Sequence, residues 1–151
     1  MRKNKSASSA TNALSCSTTP YTDCPNTQRQ RITDQICSFT NCNFTSVSNT
    51  GHTSENGGAI CYEVANGNLI VTSCSFSHCI AYQKEGGGIY CNNAAYVSVS
   101  SSLFSACSEY AHTGGSGGGG ITLRQIQIHP QISLCTFISC SSEDDGGGVA
   151  V

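Results

Sequence analysis

The sequence predicts an all-β protein, a right-handed parallel β-helix of about three to four coils. Three observations predict this solenoid: a unit of roughly 30 residues recurs, each copy contains short runs with the two-residue period of strands, and a glycine run opens each clear copy. No segment has the period of an amphipathic helix. The right-handedness follows from the general preference of parallel crossover connections.

Residues 1–33 do not carry the repeat, and we expect either an irregular cap or a disordered lead-in. The basic start, Met1 to Lys5, resembles the beginning of a secretory signal, but no continuous apolar core follows it. The β-helix repeats are assigned to residues 34–151, and they stop in mid-coil at Val151. Because a stable solenoid needs capping repeats, the chain is interpreted as a fragment of a longer helix.

The clearest copy runs from Gly57 to Cys79 and contains two alternating runs separated by an Asn-Gly turn. The opening apolar residues of successive copies are spaced 29, 32 and 28 residues apart: Ile60, Ile89, Ile121 and Val149. From each opening residue to its phenylalanine the count is steady at 16, 15 and 16, whereas the remainder of each copy varies. Paired strands cannot change length without losing register, so the variable part is assigned to the loops 48–56, 80–85, 108–117 and 141–145.

The first copy can be aligned with the others on Phe39 or on Phe44. Alignment on Phe39 would place Asp34 at an inward position, so Phe44 is preferred. Cys37 and Phe39 then correspond to inward apolar residues of the next copy. On this alignment, the opening strand of the first copy is missing or degenerate.

Stacking of equivalent residues predicts ladders of like side chains inside the tube. One apolar ladder contains the four opening residues, and another contains Val71, Val99 and Ile132. An aromatic ladder contains Phe44, Phe76, Phe104 and Phe137. The glycine runs are expected at a corner that needs a positive φ or a close backbone approach. No helix or GK[ST] motif follows them, so they are not interpreted as a phosphate cradle.

Cysteine is unusually frequent, at 11 of 151 residues. Two further ladders are predicted: Cys42, Cys74 and Cys135, with Ser102 in one copy; and Cys79, Cys107 and Cys140, with Val47 in the first. The exchange with valine favours a small buried residue, which a free thiol satisfies. Coils about 4.8 Å apart also fall within the Cα window of a disulfide, so Cys42–Cys74 or Cys107–Cys140 bridges are the alternative. Zinc is not expected, because stacked ligands do not converge tetrahedrally.

The charge pattern limits the partners. Charged residues are 11% of the chain, and the formal net charge is −2. This balance gives no basic stripe for nucleic acid, and no run is long enough for a transmembrane helix. We therefore expect no nucleic-acid partner, no cofactor, and membrane association only through parts outside this chain.

The motif GGAI at Gly57 to Ile60, its GGGI variants and the recurring F-x-x motif resemble the repeats of the chlamydial polymorphic outer-membrane proteins over about residues 37–151. The family favours F-x-x-N, whereas the last position here is Val47, Cys79, Cys107 or Cys140. The resemblance implies a β-helical adhesin at the cell surface. It favours a non-catalytic, extracellular binding scaffold whose variable loops lie along one edge and contact a host surface protein or glycan.

Two alternatives remain. The coil architecture is also similar to that of polysaccharide lyases and glycoside hydrolases, which need clustered acids or an arginine base. The best group for that chemistry is Glu143, Asp144 and Asp145 with Arg124, but acids before a glycine turn are typical of a solvated loop, so no catalytic residue is assigned. These acids, with His52 and His112, are kept as ligand-loop candidates. The third interpretation is a spacer stalk.

Overall fold

The computed structural model describes residues 13–14, 21–22, 25–26, 28–49, 56–110, 117–143 and 146–151. These residues form short strands and no helix, and all the paired strands are parallel. The all-β parallel solenoid predicted from the repeats is therefore confirmed. Without a helix, this part of the chain has no helical segment that could cross a bilayer.

The strands follow one another in the same order in each coil. Before the first coil lie β1 (Ala13–Leu14), β2 (Tyr21–Thr22) and β3 (Pro25–Asn26). Coil 1 has β4 (Gln30–Ile32), β5 (Ile36–Thr40) and β6 (Asn43–Thr45); coil 2 has β7 (Ile60–Tyr62), β8 (Asn68–Thr72), β9 (Ser75–Ser77) and β10 (Ile80–Tyr82). Coil 3 has β11 (Ile89–Asn92), β12 (Tyr96–Ser100), β13 (Leu103–Ser105) and β14 (Ser108–Tyr110); coil 4 has β15 (Ile121–Arg124), β16 (Gln131–Ser133), β17 (Thr136–Ile138) and β18 (Ser141–Ser142), and β19 (Val149–Ala150) follows. Coils 2, 3 and 4 therefore make about three full turns.

Four parallel sheets run along the tube. The first contains β1, β4, β7, β11, β15 and β19; the second β2, β5, β8, β12 and β16; the third β3, β6, β9, β13 and β17; the fourth β10, β14 and β18. The fourth sheet corrects the sequence analysis, because it occupies 80–82, 108–110 and 141–142, which were assigned to loops. These strands are short, and Ala81 and Glu109 are their inward residues, so no alternation of apolar residues marked them.

Equivalent residues of successive coils pair in register. Ile60, Ile89, Ile121 and Val149 form one continuous row, and Val71, Val99 and Ile132 form another. The rings of Phe44, Phe76, Phe104 and Phe137 stack with centroids 4.8, 4.6 and 4.9 Å apart. This spacing matches the separation of paired strands, so the aromatic column follows directly from the strand register.

Coil 1 is aligned as the Phe44 frame predicts. Phe44 pairs with Phe76, and Phe39 pairs with Val71. Its opening strand is β4, which pairs with β7 and places Gln30 opposite Ile60. Paired strands thus also occur before residue 34, although the domain boundary assigned there stays a prediction.

Two corners of each coil use residues other than glycine in the left-handed region. Asn41, Ser73, Ser101 and Leu134 lie between the second and third sheets, with φ from 50° to 54°. Ser46, His78, Ala106 and Ser139 lie at the end of the third sheet, with φ from 51° to 54°. Asparagine tolerates this conformation best, because its side chain can bond to nearby backbone groups. Leucine and alanine have no such compensation.

We expect Leu134→Gly to raise the free energy of unfolding by about 0.5–1 kcal/mol, because glycine adopts a positive φ without steric cost. Leu134 has φ 53° and an 85% exposed side chain, so little packing is lost. Urea unfolding measures the change. The control is Leu103→Gly, an exposed strand position at which glycine should be destabilising. If both variants lost the same free energy of unfolding, the backbone at Leu134 would not be strained.

The glycine runs form the corner before the first sheet. Gly57 and Gly86 have φ of 78° and 76°. At Gly87, a Cβ would lie 2.2 Å from the carbonyl oxygen of Gly119 in the next coil and 2.5 Å from that of Ser108. Both expected reasons for glycine, a positive φ and a close backbone approach, therefore occur at this corner.

Candidate functional site

A row of polar residues crosses the outer face of the first sheet, one from each coil. Asn92 and Arg124 are paired residues of β11 and β15. Tyr62 pairs with Cys91 and with Ile32, so Glu63 follows beside Asn92 and Thr33 follows beside Glu63. Since alternate residues of a strand face opposite sides, these four lie opposite the inward residues that precede them. We call Thr33, Glu63, Asn92 and Arg124 the outer row.

A second outward column lies beside the outer row and is largely covered. Cys61, Tyr90 and Thr122 occupy equivalent positions two residues before members of the outer row, and all three are buried. The glycine segments lie against them: the Gly118 N–H donates to Thr122 Oγ1 at 2.7 Å, and a Cβ at Gly86 would be 2.9 Å from Tyr90 Cβ. The segments that enter the first sheet therefore form one wall beside the outer row.

This wall contributes two polar side chains to the outer row. Arg124 donates two hydrogen bonds to Glu85, one of them from Nη2 to Oε1 at 2.8 Å, which makes a bidentate ion pair across coils. Asn56 Nδ2 donates to Glu63 Oε1, and the Glu85 N–H donates to Asn56 Oδ1, each at 3.4 Å. Asn56 thus links the Glu63 carboxylate to the backbone of Glu85, and both carboxylates lie on the same face of the solenoid.

The titratable groups under this network stay protonated at neutral pH. Burial raises the pKa of Tyr90 to about 12, and the nearby Glu85 and Glu63 carboxylates add to the increase. Burial also raises the pKa of Cys61 to about 12, because its effect is larger than the opposing effect of Arg29. A thiol with so high a pKa carries little thiolate and is a poor nucleophile. The outer face therefore offers hydrogen-bond donors and acceptors rather than an activated cysteine.

A cavity lies at each end of the outer row. One, of about 260 Å³, is lined by Arg31, Thr33 and Glu63 together with Ile32, Val64 and Ala65. The other, of about 440 Å³, is lined by Arg124, Gln127 and His129 together with Leu123, Gln125, Ile126, Pro130 and Val151. The first volume is below the range of ligand pockets, roughly 300–1,000 Å³, and the second is in the lower part of that range. The surface suits an extended ligand that touches several coils better than a small molecule enclosed in a pocket.

The residues proposed from sequence for chemistry are not gathered into one described site. Glu143 is exposed, and Arg124 pairs with Glu85 rather than standing alone as a base. Asp144, Asp145, His52 and His112 lie outside the described residues. Among the described side chains, no group of three or more His, Cys, Asp or Glu could hold a metal ion.

The cysteines are divided between bridges and free thiols. Cys37 and Cys42 are disulfide-bonded. Cys74, the alternative partner of Cys42, is free, and so are Cys79, Cys107, Cys135 and Cys140. Cys61 and Cys91 are also free. Cys42–Cys74 and Cys107–Cys140 bridges are therefore not formed in this structure.

The outer row was missed because its members share a position but not a residue type. Each of Glu63, Asn92 and Arg124 lies three residues after the opening residue of its copy. A search for recurring residues passes over such a position. A search for template positions that are always polar would have found it.

No family model, curated protein or solved structure matches this chain. What the chain shares with β-helix proteins is the parallel solenoid itself.

Proposed function

We propose that this chain is a non-catalytic binding scaffold, displayed at the cell surface or outside the cell, like the β-helical adhesins whose repeats it resembles. Its ligand lies along the outer row and is contacted by the loops that enter the first sheet. The resemblance to chlamydial polymorphic outer-membrane repeats supports the location. The fold supports a long surface to which each coil contributes the same position.

One observation carries the proposal: the outer row is polar in every coil, but its residue type changes from coil to coil. The opening residues of coils 2 to 4 are all Ile and the aromatic column is all Phe, but the outer row reads Thr33, Glu63, Asn92 and Arg124. Packing of the core does not require this polar variety on the outer face of the sheet. Donors and acceptors that change from coil to coil are what recognition of an extended, asymmetric ligand needs.

The charges favour a hydroxyl-rich ligand. Arg31 and Arg124 are balanced by Glu63 and Glu85, so the face has no strong field of either sign. Amides donate and accept, carboxylates accept and guanidinium groups donate, so together they can bond to hydroxyls in both directions. A host glycan therefore fits this face better than a polyanion or a highly basic protein.

The test is binding of the full chain to a glycan array and to host cells. Glu63→Ala/Asn92→Ala removes two polar groups and should weaken binding about tenfold or more, since each lost hydrogen bond is worth roughly 1 kcal/mol. The matched control is Ser98→Ala/Ser100→Ala on the outer face of the second sheet. Equal binding by both variants would refute the proposal, and a chain that binds nothing would favour the spacer stalk.

A second candidate function is favoured by the Glu63 and Glu85 carboxylates, which lie on one face of the solenoid. The Glu85 carboxylate is paired with Arg124 and the Glu63 carboxylate accepts from Asn56. Most polysaccharide-cleaving hydrolases use a pair of carboxyl groups. The same preparation should therefore be incubated with soluble polysaccharides. If the unaltered chain produces new reducing ends and Glu63→Gln does not, the chain is an enzyme and the binding function is refuted.

A further inference from the structure

Three free thiols, Cys79, Cys107 and Cys140, stack at one corner of coils 2, 3 and 4. The residues that follow them, Ile80, Ser108 and Ser141, are paired in register. The cysteine Cα atoms of neighbouring coils are therefore separated by about 4.8 Å, the spacing of paired strands. This distance lies within the window that a disulfide requires, roughly 4.4–6.8 Å.

The side chains of this column point the same way, each toward the coil before it. Cys107 Sγ lies 3.5 Å from the carbonyl oxygen of Phe76, and Cys140 Sγ lies 3.5 Å from that of Phe104, so each thiol points toward the preceding coil. The neighbouring Cys79 and Cys140 thiols both influence the pKa of Cys107, as expected for side chains stacked in one column. In-register pairing therefore places each thiol of the column beside the coil that precedes it.

Solvent access differs along the column. Cys79 and Cys107 are fully buried, whereas Cys140 is partly exposed. A reagent in solution therefore meets Cys140 first. The disulfide bonds of Cys37 and Cys42 show that oxidised cysteine is compatible with this fold.

We propose that a small disulfide, such as oxidised glutathione, joins Cys140 to Cys107 and so links coil 4 covalently to coil 3. The Cys140 thiolate attacks one sulfur of the reagent, forms a mixed disulfide and releases one glutathione, which takes up a proton. Cys107 loses its proton and attacks the Cys140 sulfur, forming the Cys107–Cys140 bond and releasing the second glutathione. Two protein thiols are oxidised, and one glutathione disulfide is reduced.

The other cysteine ladder provides an internal comparison. Cys135 is in coil 4 and is partly exposed like Cys140, but Ser102 occupies the equivalent position of coil 3. A hydroxyl cannot displace glutathione from a mixed disulfide. Cys135 should therefore keep its glutathione, while Cys140 should lose it to Cys107.

The reaction of Cys140 with oxidised glutathione should be slow at neutral pH and faster at higher pH. The hydrogen bond with Cys107 and burial both raise the pKa of Cys140 above the usual thiol range. The interaction with Cys140 lowers the pKa of Cys107. The interaction with Cys79 and burial outweigh this effect and raise the pKa of Cys107 to about 12. Because only thiolate attacks, the rate should increase as pH rises above 7.

The test is incubation of the folded full chain with oxidised glutathione at pH about 8.5, followed by tandem mass spectrometry of tryptic peptides. We expect a Cys107–Cys140 linkage and a glutathione adduct on Cys135. In Cys107→Ser, Cys140 should retain glutathione; in Ser102→Cys, Cys135 should become linked to the new cysteine. A lasting adduct on Cys140 of the unaltered chain, a Cys79–Cys107 linkage, or no modification of Cys140 would each overturn the proposal.

Discussion

Replacing Gly87 by alanine is expected to lower the free energy of unfolding by about 3 kcal/mol, a loss at the upper end of what overpacking causes. The new methyl group would lie 2.2 Å from the carbonyl oxygen of Gly119 and 2.5 Å from that of Ser108. Both atoms belong to backbone, which cannot rotate away as a flexible side chain does. Coils 3 and 4 would have to separate locally, and hydrogen bonds between them would lengthen.

Gly148→Ala is the matched control, since it changes a glycine of another opening run. Its Cβ would meet Phe137 Cγ at 3.5 Å, an ordinary van der Waals contact. This variant should be neutral or slightly stabilising, because alanine restricts the unfolded chain. Urea unfolding monitored by circular dichroism compares the two. A Gly87→Ala variant as stable as Gly148→Ala would show that the coils tolerate a side chain at this corner.

The interior of the solenoid could be predicted because stacking repeats residue types. Each Phe lies on another Phe, so one alignment on Phe44 sets the register of the second and third sheets in coil 1. The opening strand β4 could not be recognised in the same way. Gln30 stands where later coils have Ile or Val, and backbone pairing with β7 alone identifies the strand.

The outer surface and the sulfur chemistry were less predictable, for a physical reason. Outward residues are not constrained by packing, so Glu63, Asn92 and Arg124 carry no common residue type from which a row could be deduced. The link between Glu63 and Glu85 depends on how the segment around Asn56 approaches the sheet. Register shows that stacked cysteines are near one another, but whether they are oxidised depends on exposure and on the reagent.

Cys42, Cys74 and Ser102 stack between the second and third sheets, and they also form hydrogen bonds that link the coils. The Cys42 N–H donates to Cys74 Sγ, and the Cys74 N–H donates to Ser102 Oγ. The Ser102 hydroxyl donates in turn to the Ser100 carbonyl. A short side chain with a donor and an acceptor thus satisfies backbone groups at this corner, which explains why Cys and Ser exchange there.

Phe104→Ala is expected to cost about 4 kcal/mol of unfolding free energy, since a buried aromatic side chain and its contacts are removed from the middle of the column. The Phe104 ring is fully buried and stacks 4.6 Å from Phe76 and 4.9 Å from Phe137. Phe137→Ala should cost less, because Phe137 is partly exposed. A Phe76→Ala/Phe104→Ala cycle should give a coupling of about 0.5–1.5 kcal/mol. Equal costs at positions 104 and 137 with no coupling would mean that the rings act as separate apolar groups, and stability would then be independent of their alignment along the tube.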